Sequence, residues 1–267
     1  MKKNLTRNIL ITGASSGIGE ALALHYAERE KARLYLTGRN TERLEQVADK
    51  CRALGSDCFS NTINVTDRAA MKSWIEKIDE TTPLDLVIAN AGISGGTGGE
   101  NVARNYDVDL EIFDVNLDGV LNTIHPVIPR MVTRKSGQLT IISSVASLAP
   151  LAGAPAYSAS KAAVRFYGEA LAIKLKTENV FLSVVCPGFV VSRMTELNQF
   201  PMPFILPADR AASIIAKGLE HRKIRIDFPW QMKLVMSLTR LLPEAFVRDI
   251  FAQAPEKHSQ KNSLPST

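Results

Sequence analysis

The chain has 267 residues, 45% hydrophobic and 22% charged, with 16 Gly and 13 Pro, the composition of a packed globule rather than of a disordered, collagen-like or disulfide-framework protein. Its 32 basic against 27 acidic residues leave a net charge of +5, too mild for a nucleic-acid binder without a localised basic stripe, and the body has none. The length suits one α/β domain with a tail.

Apolar runs of strand length recur at 8–12, 33–37, 58–63, 84–90, 138–143, 181–186 and 224–228. Between them, segments such as 17–30, 41–54, 109–134 and 155–177 carry apolar residues at helical spacing and are long enough to cross over a sheet. The alternation predicts one Rossmann-like, doubly wound α/β domain over 1–228, a seven-stranded parallel sheet with helices on both faces. The strands lack strict polar alternation, as in Leu84-Asp85-Leu86-Val87-Ile88-Ala89, which fits strands buried on both sides. Two stretches interrupt the rhythm, a Gly-rich one at 92–99 and a Pro-rich one at 187–207. Both follow predicted strands, at the carboxyl ends where open parallel sheets bind ligands.

The segment Thr12-Gly13-Ala14-Ser15-Ser16-Gly17-Ile18-Gly19 follows the first predicted strand and opens the first predicted helix. Glycines there allow a tight turn and a close backbone approach to a pyrophosphate, whose charge is favoured by the amide donors of a helix N-terminus. A plain strand-to-helix turn is the alternative. The second predicted strand ends in Thr37-Gly38-Arg39, with no carboxylate before Glu42 to hold a ribose 2′-hydroxyl. The planar fork of Arg39 suits a phosphate, which predicts NADP(H) in preference to NAD(H); a solvated surface arginine is the alternative.

Tyr157 and Lys161 stand at i and i+4 of a predicted helix and so share one face. The pair alone is weak; Ser144, just past the fifth predicted strand, strengthens it. With these motifs in this order, the sequence resembles the classical short-chain dehydrogenases/reductases from about residue 9 to residue 228. The family's TGxxxGxG falls on residues 12–19, its NAG element on Asn90-Ala91-Gly92 and its proline-glycine turn on Pro187-Gly188. The resemblance implies a catalytic tetrad of Asn116, Ser144, Tyr157 and Lys161. It implies a dinucleotide held by Gly13, Ser15, Ser16, Gly17, Ile18, Gly19, Arg39, Asn64, Val65, Asn90, Ala91, Gly92, Tyr157, Lys161, Pro187, Gly188, Val190 and Ser192. Two positions depart from the pattern. Asn64 stands where the family often has Asp against the adenine amine, and its carbonyl still accepts a hydrogen bond. Ser192 stands where Thr commonly meets the nicotinamide amide, and it keeps the hydroxyl.

The implied reaction transfers a hydride between nicotinamide and a carbonyl or secondary alcohol. In reduction Tyr157 donates a proton to the developing oxyanion, and Ser144 adds a second hydrogen bond. Working near neutrality requires lowering a tyrosine pKa by about three units, or about 4 kcal/mol. One cation about 4 Å away contributes roughly that at an effective dielectric near 20; Lys161 is the expected cation, with the positive ring of the oxidised cofactor adding to it. Asn116 is implied to hold a water linking Lys161 to solvent; taken by itself it is equally a helix-kink hydrogen bonder. His25, His125, His221 and His258 show no ligand spacing, and no metal is expected. Ser144 lacks the GxSxG elbow and a local His partner, which disfavours a serine hydrolase. Chain length and glycine spacing disfavour an extended-branch epimerase. A non-catalytic dinucleotide-binding sensor or scaffold of the same fold is the alternative function.

Phe189, Met194, Phe204, Ile205 and Leu206 lie in 187–207, which in the family forms the mobile substrate lid. Their apolar character predicts a hydrophobic small-molecule carbonyl or alcohol, contacted by Ser144, Tyr157, Phe189, Met194 and Phe204; core packing is the alternative for any one of these apolar residues. Residues 229–254 read as an amphipathic helical extension through Met232, Leu234, Val235, Met236, Leu238, Leu241 and Leu242, interrupted by Lys233 and Arg240. Residues 221–267 hold eight basic against four acidic residues, leaving 24 against 23 in the rest. The helix therefore has three destinations: an anionic membrane surface, the substrate cleft, or a second subunit of a homodimer or homotetramer. Residues 255–267 are polar and predicted disordered. The three cysteines show no CxxC spacing, which argues against a disulfide scaffold and a zinc site. The apolar residues 9–11 are too few for a signal peptide, and no apolar run reaches the roughly 18 residues of a membrane span. A cytoplasmic protein is expected, with peripheral membrane contact through the C-terminal helix as the variant.

Overall fold

In the computed structural model, which describes residues 7–95, 106–196, 198 and 200–238, seven strands form one parallel sheet. They are β1 (Asn8–Thr12), β2 (Arg33–Thr37), β3 (Cys58–Asn61), β4 (Leu86–Ala89), β5 (Gly137–Ile142), β6 (Val180–Pro187) and β7 (Arg225–Phe228), in the order β3-β2-β1-β4-β5-β6-β7. The connections are α1 (Gly17–Glu30), α2 (Thr41–Ala53), α3 (Arg68–Thr81), α4 (Tyr106–Phe113), α5 (Gly119–Ile124), α6 (Ile128–Thr133), α7 (Pro155–Lys176), α8 (Arg193–Glu196) and α9 (Ala208–Glu220), with α10 (Trp230–Leu238) after β7. Residues 239–267 lie outside the described residues, so the extension expected to reach 254 is described only to Leu238, and the expected tail 255–267 not at all.

Successive residues of a strand face opposite ways, and the two faces carry separate cores. Ile9, Ile11, Leu34, Leu36, Leu86 and Ile88 pack against α1, α2 and α9. Leu10, Val87, Leu139, Ile141, Leu182 and Val184 pack against α3, α5, α6 and α7. Polar alternation is missing because both faces are dry. Cys51 and Cys58 belong to the first core and Cys186 to the second, all three free and buried. β1 lies between β2 and β4, so the chain direction across the sheet reverses there; the crevice outside the strand carboxyl ends at such a point is the usual ligand site. Among the described residues no helix is long and apolar enough to cross a membrane.

The segment 109–134, expected to carry helical spacing, is divided into several helical pieces. A π-helical stretch, Asp114–Asp118, separates α4 from α5, and α6 follows after a short break. The hydrophobic period continues through the break, so the pattern alone does not register it. Wider turns of this kind cluster at functional positions, and this one carries Asn116.

Candidate active site

At the carboxyl ends of the strands a cleft of about 1270 Å3 opens. Its floor begins at the turn between β1 and α1. Gly13 has φ +65, and a Cβ there would lie 2.7 Å from the Cα of Ala91. At Gly19 a Cβ would lie 2.3 Å from the Gly13 carbonyl oxygen. These two glycines let the first turn press against the chain leaving β4; Gly19 serves that packing and is absent from the cleft wall. The contact is then fixed by polar bonds. Asn90 donates from Nδ2 to Thr12 O at 2.9 Å and to Gly13 O at 3.1 Å, and the amides of Asn90 and Ala91 both donate to Thr12 Oγ1 at 3.1 Å. Ser16, the N-cap of α1, makes no side-chain capping bond, so the first-turn amides of α1 are left for an anion.

Beyond this turn the wall is cationic. Arg39, Arg43 and Arg193 all line it. Arg39 Nη1 is 3.4 Å from Glu111 Oε1, with both side chains nearly half exposed. Asn40 caps α2 by accepting from Arg43 N at 2.8 Å, which fixes the start of Arg43's helix. Burial and the charge of Arg193 hold Arg43 below the usual arginine pKa, and its buried Nε has no hydrogen-bond partner. An orphaned guanidinium N–H beside two other arginines fits a phosphate. Asn64 and Val65 also line the cleft; Asn64 Oδ1 accepts from Thr66 N at 3.2 Å, and Val65 O accepts from Asn122 Nδ2 at 3.0 Å.

The opposite end holds Ser144, Tyr157 and Lys161. Ser144 caps the 3-10 turn Val145–Leu148, accepting from Ala146 N at 3.1 Å. That bond fixes its hydroxyl on the same cleft wall as the Tyr157 phenol. Ser143 Oγ donates to Lys161 O at 2.8 Å, and Lys161 Nζ donates to Ile142 O at 3.0 Å. Lys161 Nζ lies 6.0 Å from the Tyr157 ring centre. Burial pushes Lys161 down to about 8. Burial pushes Tyr157 up, with Ser144 working the other way. Burying both groups disfavours the charged form of each, which opposes the lowering of the phenol expected from Lys161 and the oxidised cofactor. Tyr157 keeps its proton.

Asn116 is fully buried and absent from the cleft wall. Its Oδ1 accepts from Ile93 N at 2.8 Å, while Nδ2 donates to Ile93 O at 2.9 Å and Ser160 Oγ at 3.1 Å. The side chain therefore clamps the chain after β4 to α7.

Gly92, Pro187, Gly188, Val190, Ser192, Phe189 and Met194 line the cleft as well, together with Ser15, Gly17 and Ile18. Ser192 and Thr195 bond reciprocally, Ser192 N to Thr195 Oγ1 at 2.9 Å and Thr195 N to Ser192 Oγ at 3.3 Å, which starts α8. Phe204 is a correction to the substrate set: it is 52% exposed and lies outside the cleft wall. Val191 N donates to Leu206 O at 2.9 Å and Leu206 N to Phe189 O at 3.0 Å. These bonds draw the end of the segment back beside Phe189 and Val190, and Phe200, edge-on to Phe189 at 6.1 Å, takes the inward position instead. The sequence reading also missed Arg43, Ser143 and Phe200. Arg43 stands four positions after Arg39, a readable signal; the other two had none. Met232 and Met236 of α10 reach the cleft wall, the second of the three destinations open to that helix.

The model of the short chain dehydrogenase family matches residues 7–200. An uncharacterized oxidoreductase of Myxococcus xanthus is 37% identical over 238 residues, 89% of this chain and 93% of that protein. Among solved structures, a short-chain dehydrogenase from Sphingobium yanoikuyae in complex with NADPH superposes with TM-score 0.76 at 24% identity, covering 90% of this chain and 97% of that one. A short-chain dehydrogenase/reductase from Burkholderia phymatum in complex with NAD superposes with TM-score 0.80 at 22% identity, covering 99% of this chain and all of that one. With the family model spanning most of the sequence and the fold shared along its length, the chain belongs to the short-chain dehydrogenase/reductase family of oxidoreductases.

Proposed function

We propose that the protein is an NADP(H)-dependent oxidoreductase interconverting a carbonyl and a secondary alcohol on an apolar small molecule, with Tyr157 as proton donor and acceptor. The observation that carries this reading is the gathering of Ser144, Tyr157 and buried Lys161 at one end of the cleft, with Lys161 Nζ 6.0 Å from the Tyr157 ring centre. The dinucleotide, when bound, supplies or accepts the hydride. Nicotinamide dinucleotides occupy the related structures, NADPH in one and NAD in the other. Here the arginine trio and the orphaned Arg43 Nε favour the form with a 2′-phosphate.

The chain's own groups do the rest. The first-turn amides of α1 would hold the pyrophosphate, and Arg39 with Arg43 would hold the 2′-phosphate. Asn64, Val65 and the residues Asn90 to Gly92 shape the adenosine and ribose walls, and Pro187, Gly188, Val190 and Ser192 shape the nicotinamide end. In reduction Tyr157 donates its proton to the developing oxyanion, and the Ser144 hydroxyl, held by its cap, donates a second hydrogen bond. Lys161 steadies the charge left on the phenol after proton transfer. Asn116 acts by positioning, through Ile93 and Ser160.

Mixing the purified protein with NADPH and a panel of ketones and aldehydes should consume reduced-cofactor absorbance. Tight NADPH binding with no consumption by any carbonyl would favour the sensor reading. A pH profile tests the groups separately. Lys161 sits at about 8 and serves as a cation, so kcat/KM for reduction should be level below that pH and fall above it as the ammonium deprotonates. Tyr157 is raised and keeps its proton through the same window. A profile level to pH 10 would remove Lys161 from the mechanism.

A further inference from the structure

The apolar enclosure beside Ser144 is closed by an element from the far end of the chain. Met232 and Met236, one turn apart on α10, share one face. They pack with Val145, Leu148, Ala149 and Leu151, the residues that directly follow Ser144. Both methionines also line the cleft, as do Phe189 and Phe200. α10 is the only described helix after β7, so its angle depends on how it is tied at its start. Gly188 N donates to Phe228 O at 2.7 Å, joining the β7 end to the turn after β6. Asp227, whose side chain is 3% exposed, receives Arg225 Nε on Oδ1 at 2.7 Å and Lys233 Nζ on Oδ2 at 2.8 Å. A carboxylate this buried needs both cations, and one of them, Lys233, lies on α10 between the two methionines.

We infer that Met232 and Met236 form a specificity-determining roof that receives and sizes a flexible aliphatic arm of the carbonyl substrate, and that Asp227, through Lys233, is the positioning residue that holds the roof in place. This rests on the oxidoreductase reading above. Methionine is unbranched and polarizable, so two of them make a wall that adapts to alkyl chains of varied bend. A wall of this kind discriminates by length rather than by hydrogen bonding. The outward residues Trp230, Leu234 and Val235 are exposed and take no part in the roof.

The test uses the full chain with NADPH and straight-chain 2-ketones of increasing length. For the wild type, kcat/KM should rise by about fourfold per added methylene until the enclosure is filled, and then level. Met232→Trp should bring that plateau to shorter arms and Met232→Ala should move it to longer ones, with NADPH fluorescence titration reporting that each variant is folded. Lys233→Ala should raise KM for arms near the plateau by about fivefold with kcat changed by less than about twofold, and Lys233→Arg, which keeps the cation, should restore KM. A plateau at the same length in wild type, Met232→Trp and Met232→Ala, with NADPH still bound, would overturn the roof. Equal KM in Lys233→Ala and Lys233→Arg would overturn the positioning role. If the wild type binds NADPH but consumes none with any ketone or aldehyde, the oxidoreductase reading itself falls, a result distinct from an unmoved plateau.

Discussion

Replacing Tyr157 with phenylalanine should lower kcat for NADPH-dependent carbonyl reduction by about a thousandfold, with NADPH affinity changed by less than about threefold. The ring is retained, so the packing around it is retained. What is lost is the one proton that burial holds on the phenol at the edge of the cleft. Ser144 keeps its capping bond to Ala146 and still offers one hydrogen bond to the oxyanion, which is why catalysis is reduced and not abolished. Ser144→Ala should cost less, about a hundredfold. Stopped-flow absorbance with saturating ketone measures both. Undiminished turnover in Tyr157→Phe would show that the proton comes from elsewhere.

Exchanging Arg39 for aspartate should weaken NADPH by about a hundredfold while NADH changes by less than about threefold. A hydrogen bond to a charged group contributes about 1.5–3 kcal/mol, and the introduced carboxylate adds repulsion against the phosphate. The contact between Arg39 and Glu111 does not offset this: both side chains are nearly half exposed, and such a pair contributes at most about 1 kcal/mol. Arg43→Ala should weaken NADPH by a further tenfold or so, since its guanidinium is a second cation on the same stretch of cleft wall. Calorimetric titration with both cofactors separates the effects. Equal losses for NADPH and NADH in Arg39→Asp would detach the arginine from the 2′-phosphate.

Which parts of this site were legible in the sequence follows from how local their causes are. The strand and helix alternation is a local pattern, so the seven strands lie at or within a few residues of the expected positions, and Gly13, Ser144, Tyr157 and Lys161 stand on one cleft. Expected β3 ran two residues beyond the observed end because Ile63 pairs with the Thr37 side chain rather than with a strand: Thr37 Oγ1 donates to Ile63 O at 3.3 Å and accepts from Ile63 N at 3.2 Å. The break at Asp114–Asp118 leaves no trace in the hydrophobic period. Phe204 read as a pocket residue on apolarity alone; which of two nearby phenylalanines faces inward is decided by the backbone pairing of Leu206 with Phe189, a contact 17 residues apart. The balance of effects on the Tyr157 phenol was hidden for a related reason. Charge spacing along a helix is visible in a sequence, but the depth of burial that opposes it is not.

The three thiols give the fold a built-in chemical record of its own opening. Cys51 and Cys58 lie in the layer under α1, α2 and α9, whereas Cys186 lies in the layer under α5 to α7, and none is reachable in the closed molecule. A maleimide therefore alkylates each only when its own layer lifts, because buried thiols are inert and local opening governs access. Peptide mass mapping of briefly labelled protein would thus separate detachment of one layer from the other, with no engineered cysteine required.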